Sequence, residues 1–286
     1  MCVISYEFKI DKVFKQHLFY FVMGKVIGIL SIKGGVGKTT SAVSLAAALA
    51  SFGKKVLIID ANFSAPNLGI HLNVIEPVKT IHHVLTDDAN IEDVIHPLEG
   101  FDIIPASVYP KKQFDPLKLK DKVKKIKDKY DFVILDSSPS LNNETLATML
   151  SSDELFVVST PDFSTLTMTL KAIALAKKRG TPISGVIINK VYGKDFELSL
   201  ENIEKTSEVP VLAVIPHDVN VLKSQAHFIP STYFKPNSNS SFEYKKLAAC
   251  IAGEKYNPMR WREIFHTISP RKQEVNRELF YSNVFK

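Results

Sequence analysis

The sequence predicts a doubly wound α/β domain with a mostly parallel sheet of about seven strands and a short helical C-terminal extension. Short apolar runs alternate with longer helical patterns along the chain, as in parallel sheets that carry helices on both faces. A glycine-rich segment follows the first apolar run and precedes an alanine-rich helical pattern. This strand–loop–helix order is typical of the same fold class.

The elements follow from apolar runs and from helical spacing. Near-continuous apolar runs predict buried parallel strands over 26–30, 55–60, 101–105, 131–136, 155–159, 183–189 and 210–215. Helical spacing predicts helices over 40–52, around 80–86, around 90–95, and over 117–129, 165–178 and 199–207. Residues 61–72 are predicted to form a polar loop. His82 and His83, on the second helix, are predicted to be exposed to solvent.

Composition limits the class of protein. An apolar content of 45% is ordinary for a globular chain of 286 residues, and no apolar run is long enough to cross a bilayer. Cys2 and Cys250 are too few for a disulfide scaffold, which indicates a reducing, cytoplasmic setting. The net charge of +6 lies in the two tails, +2 over 1–25 and +4 over 255–286, and basic tails favour anionic surfaces.

Three parts are predicted: an N-terminal extension (1–22), a main domain (23–254) and a basic, partly amphipathic C-terminal extension (255–286). The first part is interpreted either as a short interfacial anchor or as sequence upstream of a true start at Met23. We favour Met23, because the domain pattern is complete from there.

Chemically suggestive residues follow the predicted strands at one rim of the sheet, where ligands of such sheets bind. These segments are 33–40, 60–67, 136–140, 189–190 and 216–218. The first of them is Lys33-Gly34-Gly35-Val36-Gly37-Lys38-Thr39-Thr40. Its glycines allow backbone N–H groups to face phosphate oxygens, Lys38 supplies a cation, and the Thr39 hydroxyl suits Mg²⁺.

The ordinary phosphate-loop pattern needs glycine at position 32, but the chain has Ile32 followed by Lys33. The segment resembles the deviant Walker A motif, K-G-G-x-G-K-[ST]-[ST], of the MinD/ParA family, and the resemblance spans about residues 23–252. It implies a P-loop NTPase fold of the deviant Walker A branch, ATP and Mg²⁺ as cofactors, and a homodimer formed across ATP. It also implies that Lys33 crosses the two-fold interface to the phosphates held by the other subunit.

Two further strand ends extend the resemblance. Asp136 closes the apolar run 132–135, as a Walker B acid does, and would hold Mg²⁺ through water opposite Thr39. Residues 136–139 resemble the second switch of the family. Residues 60–68 occupy its first switch, in which a D-x-D pair orients the attacking water. Here the pair is Asp60-Ala61-Asn62, and an amide cannot take up a proton.

Slow or partner-stimulated ATP hydrolysis is therefore expected, with Lys33, Lys38, Asp60 and Asn62 as the catalytic candidates. Asn67 matches the family asparagine that reaches toward the γ-phosphate, and residues 62–69 look closest to archaeal MinD-like proteins. Asn189, Pro216 and Asp218 match positions near the base, which favours ATP over GTP. The list of nucleotide contacts is completed by Lys33, Gly34, Gly35, Val36, Gly37, Lys38, Thr39 and Thr40.

The extension beyond 255 leaves two interpretations open. Trp261, Ile264, Phe265 and Ile268 form a helical apolar stripe beside arginines, which suits either an interfacial membrane helix or a helix packed on the domain. The leading functional hypothesis is a cytoplasmic ATP-dependent switch that positions a partner protein or complex. The membrane interpretation of the extension would place this switch peripherally at a membrane. The alternatives are a DNA-partitioning ATPase, which is less favoured, and a scaffold without hydrolysis. The sequence names neither a partner nor an activator.

Overall fold

The computed structural model describes residues 24–75 and 77–256, and an eight-stranded sheet forms its centre. The spatial order of the strands is β3-β4-β2-β5-β1-β6-β7-β8, and all neighbouring pairs are parallel except β3 with β4. The strands are β1 (Lys25–Leu30), β2 (Val56–Ala61), β3 (His96–Pro97), β4 (Asp102–Ile104), β5 (Phe132–Ser137), β6 (Glu154–Ser159), β7 (Ile183–Val191) and β8 (Val211–Pro216).

Helices connect the strands. They are α1 (Lys38–Ser51), α2 (Leu68–His71), α3 (Ile81–Leu85), α4 (Leu119–Ile126), α5 (Asn143–Ser151), α6 (Phe163–Arg179), α7 (Leu200–Ser207), α8 (Val219–Ala226), α9 (Ser231–Phe234) and α10 (Asn239–Ala252). Short 3₁₀ turns cover Ile91–Val94, Pro116–Lys118 and Lys127–Lys129. Among the described residues, no helix has the length and apolar character needed to cross a membrane.

Both faces of the sheet are buried. Alternate residues of the central strands pack against α1 and α10 on one face, where Leu45 and Leu247 have no exposed surface. The intervening residues pack against α3 and α4 on the other face, and α6 and α7 cover the β6–β8 side. The near-continuous apolar strands are therefore explained by burial on two faces, and the predicted doubly wound fold is confirmed.

The structure differs from the predicted elements in a few places. An eighth strand, β3, was missed because two residues, one of them Pro97, carry no alternating pattern. The predicted loop 61–72 ends in the short helix α2. The predicted helix 117–129 is α-helical only over α4, with 3₁₀ turns at both ends. The predictions for 1–22 and for 257–286 lie outside the described residues.

The predicted exposure of His82 is wrong. Its side chain is 5% exposed, and its Nδ1 accepts the Ser107 N–H at 3.0 Å. The imidazole packs edge-on against Phe63 and Phe114, with ring centroids 6.0 and 4.7 Å away. Burial lowers the pKa of His82 to about 4. The exposed-face prediction failed because α3 lies beneath the 105–115 loop, a packing that helical spacing alone does not show.

This buried imidazole predicts a pH-dependent stability. A neutral His82 stabilises the fold fully above pH 6.5, and that contribution is lost as the pH falls toward 4, by as much as about 3 kcal/mol. Urea unfolding of wild type and His82→Gln from pH 7 to pH 4 measures it, since other titrating groups cancel in the difference. We expect the advantage of wild type to shrink on acidification. An advantage that is constant with pH would contradict the assignment.

Candidate functional site

Residues from five strand ends line one cavity of about 550 Å³ at the predicted rim. Eleven of the fifteen predicted site residues line it: Gly34, Gly35, Gly37, Lys38, Thr39, Thr40, Asn62, Asn67, Asn189, Pro216 and Asp218. Asp60 and Asp136 lie buried behind its wall, and Val36 is buried in the glycine-rich loop. The structure thus gathers residues that lie up to 184 positions apart in the chain, from Gly34 to Asp218, because the parallel strands end at one edge.

The glycine-rich loop leads directly into α1, whose first turn has no side-chain cap. The N–H groups of that turn are therefore available for an anion, and the helix dipole favours negative charge there. Gly37 precedes the helix with φ of 96°, and a Cβ at this position would collide with the Asn189 amide nitrogen. Glycine is required here by both the backbone conformation and the close approach of β7.

Thr39 and Asp136 carry oxygen atoms of the kind that binds a divalent cation. The Thr39 hydroxyl donates to Asp136 Oδ2 at 2.6 Å, which places an alcohol and a carboxylate side by side at the start of α1. Asp136 Oδ1 is buried and has no hydrogen-bond partner in the described part of the chain. An unsatisfied carboxylate oxygen beside a hydroxyl suits Mg²⁺, which prefers oxygen ligands and retains several waters.

Lys38 lies between two buried carboxylates, and its side chain is 8% exposed. Burial lowers its pKa, against the opposing effect of the negative charges on Asp136 and Asp60. Burial likewise raises the pKa of Asp136 to about 6, and burial together with the Asp136 charge raises the pKa of Asp60. A triphosphate and its cation would bring charges of both signs to this cluster, so the site is electrostatically suited to a metal–nucleotide pair.

The first-switch loop (60–68) is folded around two acceptors. The Asp60 carboxylate accepts the N–H groups of Asn62, Asn67 and Leu68 at 3.0 to 3.1 Å. The side-chain amides of Asn62 and Asn67 both donate to the Ala65 carbonyl. The Asn62 side chain therefore has its nitrogen toward Ala65. Its Oδ1 is buried and unpartnered among the described residues, an acceptor beside the cavity.

Lys33 points away from the cavity of its own chain. Its Nζ donates to Thr165 Oγ1 at 2.7 Å and approaches Ser164 Oγ and Asp162 Oδ1 at 3.3 and 3.4 Å. Hydrogen bonds from Thr160 and Thr165 outweigh burial and lower the pKa of Asp162 to about 2, so it is an anion at neutral pH. The Lys33 ammonium group therefore lies at the start of α6.

The ends of β7 and β8 support the glycine-rich loop. Asn189 Nδ2 donates to the Val36 carbonyl, and Lys190 Nζ donates to the Gly35 carbonyl, each at 2.7 Å. Asp218 caps α8 by accepting the Asn220 N–H at 2.9 Å. The predicted base-contact residues therefore also hold the loop and the helix that frame the cavity.

Sequence reasoning missed several side chains that complete the site. Gln225 Nε2 donates to Thr40 Oγ1 at 2.8 Å, and His71 Nε2 lies 3.5 Å from the same hydroxyl. Ser64 of the first-switch loop donates to Glu144, a buried carboxylate on α5. Only the position of His71 soon after the first switch offered a signal, because the other contacts depend on how distant helices pack.

Comparisons with known proteins identify the family of this chain. The chain matches a family described as AAA domain over residues 24–183. It is 38% identical over 238 residues to an uncharacterised ATP-binding protein of Methanocaldococcus jannaschii, covering 82% of this chain and 90% of that protein.

Solved structures give the same result. The cell division ATPase MinD of Pyrococcus furiosus matches with a TM-score of 0.76 and 37% identity, over 79% of this chain and 97% of that one. MinD of Pyrococcus horikoshii, complexed with Mg-ADP, matches with a TM-score of 0.75 and 36% identity, over 78% and 94%. The chain therefore belongs to the MinD/ParA family of nucleotide-binding ATPases.

Proposed function

We propose that the protein is an ATP-dependent switch that dimerises when it binds ATP and Mg²⁺, and in that state positions a partner protein or complex. The observation that carries the proposal is the placement of Lys33. It sits in the phosphate-binding loop but does not line the cavity of its own chain, and its Nζ reaches a partly exposed site at the start of α6. A cation so placed can serve the phosphates of a second molecule, as cations supplied in trans do in other phosphoryl-transfer proteins.

Binding of the triphosphate is assigned to the α1 N-terminus and to Lys38. The first-turn N–H groups meet phosphate oxygens, and Lys38, which is buried near the charges of Asp60 and Asp136, neutralises charge on the outer phosphates. Thr39 and Asp136 would hold Mg²⁺, directly or through water, and the bound cation offsets negative charge on the phosphates. The base lies near Asn189, Pro216 and Asp218, which favours ATP, since no guanine-reading N-K-x-D follows β7.

Hydrolysis is proposed to be slow or partner-stimulated. Phosphoryl transfer depends mainly on positioning, and we assign Asn62 Oδ1, which has no hydrogen-bond partner among the described residues, to accept a hydrogen bond from the attacking water. Asn62 cannot remove the proton of that water. An aspartate here would also place a second acceptor against the Ala65 carbonyl that the amide now serves. The contacts of this loop therefore favour an amide over a carboxylate at position 62.

Turnover by Asn62 variants tests this assignment. We expect slow hydrolysis by wild type, about a tenfold loss in Asn62→Ala, and no gain in Asn62→Asp, because the carboxylate disturbs the Ala65 contact. Phosphate release under saturating Mg²⁺ and ATP measures the rates, with Lys38→Ala as the background.

Two outcomes would contradict the assignment. A rate for Asn62→Asp that is tenfold above wild type would show that a missing carboxylate limits turnover. A wild-type rate equal to the Lys38→Ala background, with ATP still bound, would favour the scaffold without hydrolysis.

A further inference from the structure

Two aromatic side chains, Tyr192 and His217, form part of the cavity wall. Their rings are stacked, with centroids 4.5 Å apart and an angle of 22° between the planes. Tyr192 directly follows β7 and His217 directly follows β8. The pair therefore belongs to the same rim as the glycine-rich loop, on the side where the strand-end residues proposed to lie near the base are found.

The backbone around each ring is held by hydrogen bonds that need no ligand. The Glu197 carboxylate accepts the N–H groups of Tyr192, Gly193 and Lys194 at 2.8, 2.7 and 3.2 Å. The His217 N–H donates to the Val191 carbonyl at 2.8 Å. A surface that is already ordered binds a flat ligand with less loss of conformational entropy.

Tyr192 retains surface for such a ligand, since the residue is 55% exposed while one ring face lies against His217. The nearby polar side chains already have partners. Asn189 Nδ2 donates a hydrogen bond to the Val36 carbonyl, and Lys190 Nζ donates one to the Gly35 carbonyl. The Asp218 carboxylate accepts hydrogen bonds from Asn220 and Ser240. A base entering this end of the cavity meets an aromatic surface beside polar groups that are engaged in holding the fold.

We propose that the Tyr192–His217 pair is the stacking surface for the nucleobase, and that it gives the site a preference for purine over pyrimidine nucleotides. Base–aromatic stacking makes a substantial contribution per base, and the larger purine rings cover more of the surface. The assignment rests on the proposed binding of ATP and adds the residues that recognise the base.

Three ligands separate stacking from phosphate binding: ATP, UTP and inorganic triphosphate. Titration calorimetry with Mg²⁺ gives the dissociation constant of each for the full-length wild type, Tyr192→Leu and Tyr192→Phe. We expect Tyr192→Leu to weaken the binding of ATP about tenfold and the binding of UTP by less. The dissociation constant of triphosphate is expected to change by less than about twofold. Tyr192→Phe keeps the ring and is expected to bind ATP like wild type.

Phe196→Leu is the matched control. Phe196 lies in the same loop, 74% exposed and 6.4 Å from the Tyr192 ring, and does not contribute to the cavity wall. It should bind all three ligands like wild type. Stacking is overturned if Tyr192→Leu binds ATP as tightly as wild type does, or if its affinity for triphosphate falls as much as its affinity for ATP. It is also overturned if Phe196→Leu loses as much affinity for ATP as Tyr192→Leu does. A wild type that binds neither ATP nor triphosphate overturns the proposed function itself, a result distinct from these.

Discussion

Replacing Lys38 with alanine is expected to weaken ATP binding by at least about 100-fold, because two charge-assisted bonds to phosphate are lost. Lys38 is 8% exposed, and the negative charges of Asp60 and Asp136 act on its ammonium group. Its removal also takes away a positive charge that offsets those two buried carboxylates as phosphates approach. Repulsion therefore adds to the lost attraction, and titration calorimetry with ATP and Mg²⁺ measures the sum.

Lys38→Met separates charge from packing. Methionine keeps an unbranched apolar stem of similar length, so the surroundings of Asp60 and Asp136 stay filled while the charge is gone. We expect the two variants to lose the same amount of affinity for ATP. The methionine variant is expected to retain more thermal stability than the alanine variant. Affinity of Lys38→Met within about tenfold of wild type would exclude Lys38 as the main phosphate cation.

Lys33→Ala is expected to abolish ATP-dependent dimerisation while leaving ATP binding by the monomer nearly unchanged. Lys33 does not contribute to the cavity wall of its own chain, so its own nucleotide loses no direct contact there. Its ion pair with Asp162 joins side chains that are 36% and 48% exposed, and such a pair contributes at most about 1 kcal/mol. Multi-angle light scattering with ATP and Mg²⁺ measures the mass, and ATP titration measures the binding.

Asp162→Asn provides the control for Lys33→Ala. It removes the ion-pair partner of Lys33, while asparagine can still accept the Thr165 N–H that caps α6. We expect this variant to dimerise with ATP as wild type does, because Lys33 itself is intact. A dimer that forms equally well in Lys33→Ala would show that the lysine does not complete the interface.

The local chemistry of the site could be predicted from sequence. The grouping of Lys38, Thr39 and the α1 N-terminus depends on neighbours within a few residues, so one short motif specifies it. Asp136 could be placed because parallel strands end at a shared edge. The same rule predicted from sequence that Asn62 and Asn189 lie at the rim. These residues line or adjoin one cavity.

Other contacts could not be predicted, because they join parts of the chain whose distance in sequence carries no periodic signal. Lys33 meets Thr165 across 132 positions, and Thr40 meets Gln225 across 185. His82 was predicted on an exposed face for the same reason, since the loop that covers it comes from another part of the chain.

The sequence alone thus determined the fold class, the glycine-rich loop before α1 and the rim at which the site residues gather, because each depends on local patterns and on how parallel sheets are connected. Only the tertiary structure decided which way Lys33 points, that the Asn62 amide is held by Ala65, and that Tyr192 stacks on His217. Those three depend on strand register and side-chain packing, which bring together atoms that no spacing in the chain relates.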